Sequence, residues 1–399
     1  MMMNAYIVQS DRVIEPFGDH PRDCLIAYRK LSVIHGVVLQ SLGMDVRSTP
    51  TAAQIEDPGE HIILEDSLFF TKELLQKFIA ESRRHRSSSV CALKPGLVTH
   101  STMVPTQDVR KHDDRVEYGL RYLPARESRG EAAPVVIDPE QFSERVPLPK
   151  HICGGSELRI PVTDTLIVQV DHWANLWAAN IGSLLAEAAR LRNATRPHLL
   201  RLALQARSLN KWKILRQLKR IGKNCDIHPT AYIEGSTIGD NVTVGAGSVI
   251  RLSFIGDGTA IGSNATIECS IVGNGCALDS MSGAFGSVLY PRTATSAKLI
   301  YLSLCGLNSF LADGAYLSDF RFDGKNVTVM KDGAVIDTGN IGLGVCLGHG
   351  VYLGAGCVVD PGRAVPSGMR LVPDEIRTIS RFNDNGSVLG HRIVDVDSE

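Results

Sequence analysis

Residues 341–368 read IGLGVCLGHGVYLGAGCVVDPGRAVPSG, and an aliphatic residue falls on every sixth position: Ile341, Leu347, Leu353, Val359 and Val365, with Leu371 beyond. Neither the 3.6-residue period of a helix nor the two-residue period of a strand gives this spacing. Upstream, Ile227, Ile233, Ile238, Val244, Ile250, Ile255, Ile261, Ile267, Val272 and Leu278 are spaced 6, 5, 6, 6, 5, 6, 6, 5 and 6, so every three steps sum to 17. A chain that points every sixth residue inward, often followed by glycine at a corner, winds short flat strands into a triangular prism. Ile238-Gly239, Ile255-Gly256, Leu347-Gly348 and Leu353-Gly354 carry that corner signal. Such repetition takes precedence over other fold cues. The period lapses over 279–301, returns at Cys305, Leu311 and Leu317, and lapses again over 318–340, where binding loops are expected to leave the prism.

A chain of 399 residues exceeds a typical single core. It is 44% hydrophobic and 21% charged with a formal net charge of -1, which excludes whole-molecule attraction to nucleic acid. Nine scattered cysteines without a CxxC pair fit reduced thiols in a cytoplasm, not a disulfide frame or zinc site. The opening MMMNAYIVQSDRVIEP lacks a leader pattern, and no window holds 18 consecutive apolar residues. The expectation is a soluble cytoplasmic protein.

Residues 1–189 read as an α/β domain: AYIVQ (5–9) as a buried strand, CLIAYRKLSVIHGVVLQSLG (24–43) as a helix closed by Gly43, and HIILEDSLFF as a strand running into the helix TKELLQKFIAES. The polar stretch 101–160 reads as an excursion or lid. VTDTLIVQV then returns as a strand and DHWANLWAANIGSLLAEAARL as a helix. No acidic residue occurs between Glu187 and Asp226, so 190–225 reads as a basic helical linker. Its cationic face fits solvent, with contact to a membrane surface or an acidic carrier protein as the alternative. The repeat domain spans 226–375, and 376–399 is a tail.

SDFRFDGKNVTV, followed by IDTGNIGLGVCLGHGVYLGAGCVVDPGRAVPSG, resembles the hexapeptide-repeat left-handed β-helix transferases. More specifically, the chain resembles the bifunctional sugar-1-phosphate nucleotidylyltransferase/acetyltransferase proteins. The resemblance implies an α/β nucleotidyltransferase-like domain before a left-handed parallel β-helix. It also implies a homotrimer, with acyl-CoA along a coil edge between subunits. The substrate it implies is a sugar phosphate or nucleotide sugar, and the activity a nucleotidyl- or acyltransferase. Lys325, with Arg321 and Asp319, would then hold the acceptor, although Asp319 stands where the family has Asn. The family's usual catalytic His aligns with Ser296, which leaves His349 as the candidate base, two residues past Leu347 and between Gly348 and Gly350. Val351, Ala355 and Val358 are expected outward, toward neighbouring subunits.

In the first domain, PFGDHPRDC is similar to the family's loop and Pro-Lys pair, with Arg22 in the lysine's place and Arg12 as the end of the nucleotide loop. ILEDSLFF and VQVDHWANLW are similar to its metal strands, so Asp66 and Asp171 would hold Mg²⁺. The family's Gly-rich cradle is missing: IVQSDRVIEPFGDHP has no glycine before Gly18. That departure supports a second reading, a non-catalytic scaffold or regulator that binds a nucleotide sugar.

Overall fold

The computed structural model describes residues 3–125, 132–147, 157–193 and 216–373, together with scattered positions between 201 and 213. Most of the basic linker and the tail lie outside the described residues. The strands of the N-terminal sheet are β1 (Met3–Val8), β2 (Met44–Thr49), β3 (His61–Glu65), β4 (Ser89–Leu93), β5 (Val116–Leu123) and β6 (Ala133–Ile137). They lie in the order β6-β4-β5-β3-β1-β2, with Arg110–Lys111 paired to β5. β5 runs antiparallel to its neighbours, so the sheet is mixed. The stretch expected to be an excursion therefore supplies a central strand. Helix α1 (Leu31–Ser41) follows β1 and α2 (Lys72–His85) precedes β4. Leu39 of α1 and Leu74, Leu75 and Phe78 of α2 join Ile62, Leu64 and Leu120 in one core. Because strand side chains alternate, Ile63 and Arg121 point to the other face of the sheet.

The helix expected over 24–43 is confined to 31–41. Residues 25–30 form a tight hairpin instead, with Ala27 and Tyr28 both at positive φ. A tertiary contact overrides the local pattern: the Tyr290 hydroxyl accepts from the Leu25 N–H at 3.0 Å and donates to the Leu25 carbonyl at 2.9 Å. The helical end at Gly43 is as read, with φ +75°.

From Arg220 onward the chain coils. Strands of two or three residues stack in parallel on three faces, with partners 17 residues apart from Thr237 through Val288. This stacking fits a left-handed parallel β-helix. The aliphatic column from Ile233 to Leu278 is buried along the prism axis. The apparent lapse over 279–301 is not a break, since strands at 283–285, 288–289, 294–295 and 300–301 continue the coils. Ala284 and Thr295 simply take inward positions that the aliphatic pattern missed. Val351 is also fully buried, against expectation, because the strand's two-residue alternation turns it inward beside Leu353. Ala355 and Val358 are exposed, as expected.

A serine ladder runs down one corner. Ser236, Ser253, Ser270, Ser287 and Ser303 are buried; each of the first four accepts the backbone N–H of the next serine on its Oγ at 3.1–3.2 Å, and Ser303 Oγ accepts the Val345 N–H at 3.0 Å. Each of these serines follows a residue at positive φ, such as Gly235, Leu252 or Cys269. Among the described residues, the one long interruption of the coils is after Leu317: the chain leaves the prism and returns at Cys346, which pairs with Leu304.

One prism face is covered by the N-terminal domain. Ile271, Val288, Leu304 and Cys346 point outward from the coils into a shared core with Ile14, Phe17, Leu166 and Trp173. Trp173 opens helix α3 (Trp173–Arg192). Trp177 of that helix donates its Nε1–H to the Gly286 carbonyl at 2.8 Å. Among the described residues, no helix is long and apolar enough to cross a membrane.

Candidate functional site

At the carboxyl ends of β1 and β3 the chain order reverses direction across the sheet, the place where open α/β sheets take ligands. The structure brings Arg12, Arg22, Asp66 and Asp171 to that place. Asp66 directly follows β3. Its Oδ2 accepts from the Ser10 N–H at 3.2 Å and from Arg22 Nη1 at 3.0 Å. Arg22 also donates to the Ser10 carbonyl at 2.9 Å. Arg12 forms ion pairs with Asp171, at 2.8 Å, and with Asp108. The Asp108 N–H donates to Asp171 Oδ2 at 2.8 Å. Burial raises the carboxyl pKa of Asp171, against the pull of the Asp108 N–H and Arg12. Asp108 is also partly buried, but Lys331 and Arg12 outweigh that and hold it below the usual carboxylate range.

The Mg²⁺ expectation does not fit these residues. Each expected carboxylate already holds a guanidinium where the ion's charge would sit. Among the described residues no group of three His, Cys, Asp or Glu side chains is placed to hold a metal. Asp66 Oδ1 is buried without a partner, but one oxygen is not a magnesium site. The loop after β1 is no phosphate cradle either. Its Phe17 and Gly18 N–H groups are spent on the Ile14 carbonyl, and Ile14 and Phe17 are buried against the prism.

Lys331 completes the network from the prism side, and the sequence reading missed it. Thr328–Lys331 and Ala334–Asp337 form a hairpin turning at Asp332-Gly333, both at positive φ. Asp-Gly between apolar runs is a strong hairpin signal and could have located it. Lys331 Nζ donates to Asp108 Oδ1 at 2.5 Å and to the Thr106 carbonyl at 2.9 Å. Beside it, His172 Nε2 donates to the Met330 carbonyl at 3.0 Å, and burial lowers its pKa to about 4.

His349 was expected between open glycines at a subunit edge, but it lies in the seam between the chain's own two regions. Its Nδ1 accepts from the Leu307 N–H at 2.9 Å, so Nε2 carries the proton, donated to Asp19 at 3.0 Å. Phe17 packs against the ring at 4.9 Å between centroids. Neither nitrogen keeps a lone pair for an acceptor's proton in this arrangement.

The loop leaving the prism carries Asp319, Arg321 and Lys325. Arg321 is spent on Asp323, at 2.5 and 2.9 Å, and lowers that carboxyl to about 2. Lys325 is exposed, and Phe322 beside it is 92% exposed. Burial raises the Asp319 carboxyl. No hydrogen bond or ion pair among the described residues joins residues 319–325 to His349 or to the strand-end network; the same excursion reaches that network further on, through Lys331.

A cleft of about 720 Å³ opens on the sheet face opposite α2, continuous with a second of about 280 Å³ that reaches Val8 and Glu65. Ile63 and Val90 of the sheet, with Ala52, Ala53 and Pro134, are its apolar lining residues. Arg110, His112, Arg115 and Arg121 stand around it. Glu117 takes Arg115 at 2.8 Å and His112 at 3.3 Å. Among the described residues Arg110 and Arg121 have no carboxylate partner.

The family model for bacterial transferase hexapeptide (six repeats) matches residues 219–251. No curated protein matches the chain. Among solved structures, a putative acetyltransferase from Bacillus cereus is 19% identical over 38% of this chain and 77% of that one, with a TM-score of 0.16. LpxA, a UDP-N-acetylglucosamine acyltransferase from Bacteroides fragilis, is 16% identical over 39% and 63%, with a TM-score of 0.20. A mutant of perosamine N-acetyltransferase from Caulobacter crescentus, in complex with CoA and GDP-perosamine, is 16% identical over 38% and 53%, with a TM-score of 0.14.

Proposed function

We propose that the protein is an acyl-CoA-dependent acyltransferase acting on a sugar phosphate or nucleotide sugar, working as a homotrimer of prisms, and that its N-terminal domain binds rather than transfers nucleotides. The observation that carries this reading is the hexapeptide-matched parallel β-helix with a single long loop that lifts Lys325 into solvent. An exposed ammonium on such a loop suits an anionic acceptor. Lys325 and Asp319, both carried by that loop, are assigned to that acceptor. Arg321 holds the loop through Asp323. His349 is assigned to the domain seam, since acting as a base would require breaking its Leu307 and Asp19 bonds.

The test is release of CoA from acetyl-CoA and longer acyl-CoAs by the full chain, given a panel of amino-sugar phosphates and nucleotide sugars. Acceptor-dependent release supports the proposal. Nucleotide-sugar binding without release favours the second reading, a regulator, for which the engaged nitrogens of His349 are the specific support. The His349→Ala variant should keep its turnover while melting at a lower temperature. A loss of 100-fold or more, the size typical of a missing general base, would return His349 to that role.

A further inference from the structure

We infer that the cleft on the open face of the N-terminal sheet is a nucleotide site that recognises a pyrophosphate through Arg110 and Arg121 without a metal ion. This rests on the reading that the chain handles a nucleotide-linked sugar, and it places that ligand away from the strand ends. At the strand ends Arg12, Arg22 and Lys331 face Asp66, Asp108 and Asp171, and every one of them is ion-paired within the set. Three positive and three negative charges leave no field to draw either a metal ion or a phosphate there. The cleft has the opposite balance. Arg110 and Arg121 are unpaired among the described residues, while Arg115 and His112 share Glu117.

Position and size agree with this assignment. Arg121 rises from β5 directly between Ile63 of β3 and Val90 of β4, its register partners. A guanidinium is thus set between two apolar residues of the sheet that form part of the cleft floor. Such a floor suits the flat base of a nucleoside, and arginine forks match phosphate oxygens two at a time. A volume of about 720 Å³ is of the size that encloses a small organic ligand. The positive charge is supplied by side chains of the sheet itself, so no divalent ion is needed to neutralise the diphosphate.

Isothermal titration of the full chain with ADP, GDP, UDP, CDP and inorganic pyrophosphate, each with and without EDTA, tests the assignment. At least one nucleoside diphosphate should bind, tighter than pyrophosphate and unaffected by EDTA. Arg110→Ala and Arg121→Ala should each weaken it at least tenfold, whereas Arg22→Ala should change it less than twofold. Both cleft arginines are exposed, and unchanged melting temperatures would show that the variants fold. Failure of every nucleotide to bind overturns the inference, as does binding abolished by EDTA or by Arg22→Ala but not by Arg121→Ala. Pyrophosphate binding as tightly as the nucleotides also overturns it, because the floor would then contribute nothing. CoA release with a non-nucleotide sugar phosphate reports the acyltransferase reading separately, so either can fail alone.

Discussion

In the prism, Ser253 bonds to Ser236, its counterpart 17 residues earlier, and the next three coils repeat that relation through Ser270, Ser287 and Ser303. In the N-terminal domain Arg12 reaches Asp108, 96 residues away, and no repeat of that pairing occurs among the described residues. A repeated local contact prints itself on the sequence as a period. A single distant contact prints nothing, because two charged residues far apart look like any two surface charges. The regions nonetheless share one core, so they are expected to unfold together.

That shared core gives the largest expected effect. Trp173 is 1% exposed among residues of both regions. Trp173→Ala should cost about 3–5 kcal/mol and lower a single calorimetric transition. Two separated transitions, with only the first displaced, would show that the prism and the sheet are independent after all.

Acid separates the regions chemically. Burial lowers the pKa of His35 and His172 to about 4 from an ordinary 6.5, and both sit in or against the N-terminal domain. Between those values the unfolded chain binds protons that the folded chain refuses. Stability is therefore lost as pH falls from about 6.5 toward 4, by roughly 3 kcal/mol per histidine at most. Melting temperatures measured from pH 7.5 to 4 should drop across this window. A flat profile would mean that neither ring stays neutral in the fold.

The ladder and the ion network are expected to respond less. Ser270 Oγ donates to the Glu268 carbonyl at 2.8 Å and accepts the Ser287 N–H at 3.1 Å. Ser270→Ala strands both groups in the interior, at about 1–3 kcal/mol, and urea titration should resolve it. Lys331→Ala removes a pair whose carboxylate is about half exposed, so solvent screening limits the loss to about 1 kcal/mol. A larger loss from Lys331 than from Ser270 would invert the contrast and make the inter-region charges the stronger element.

Legibility followed the same division. The column Ile233 to Leu278 was readable because each inward residue recurs on a fixed count, and Thr295 escaped because its polar side chain broke the pattern, not the coil. Asp66, Asp171, Arg12 and Arg22 were picked out by the family resemblance, and the fold does gather them. That they neutralise one another was invisible, since it depends on Asp108 and Lys331 arriving from elsewhere. The Ala27-Tyr28 turn was missed for a similar reason, being held by a tyrosine 265 residues away in sequence from Leu25. His349 was recognised by its glycine neighbours, which describe backbone space and say nothing of what moves into it.

The covering of one prism face has a consequence in symmetry. A ring of three identical copies closes when each offers two unlike surfaces, one to the copy ahead and one to the copy behind. The prism has three sides, and the N-terminal domain occupies the side bearing Ile271, Val288 and Leu304. The two sides that remain are the number a threefold ring consumes. Such a ring would leave its N-terminal domains on the faces that the contacts between copies do not use.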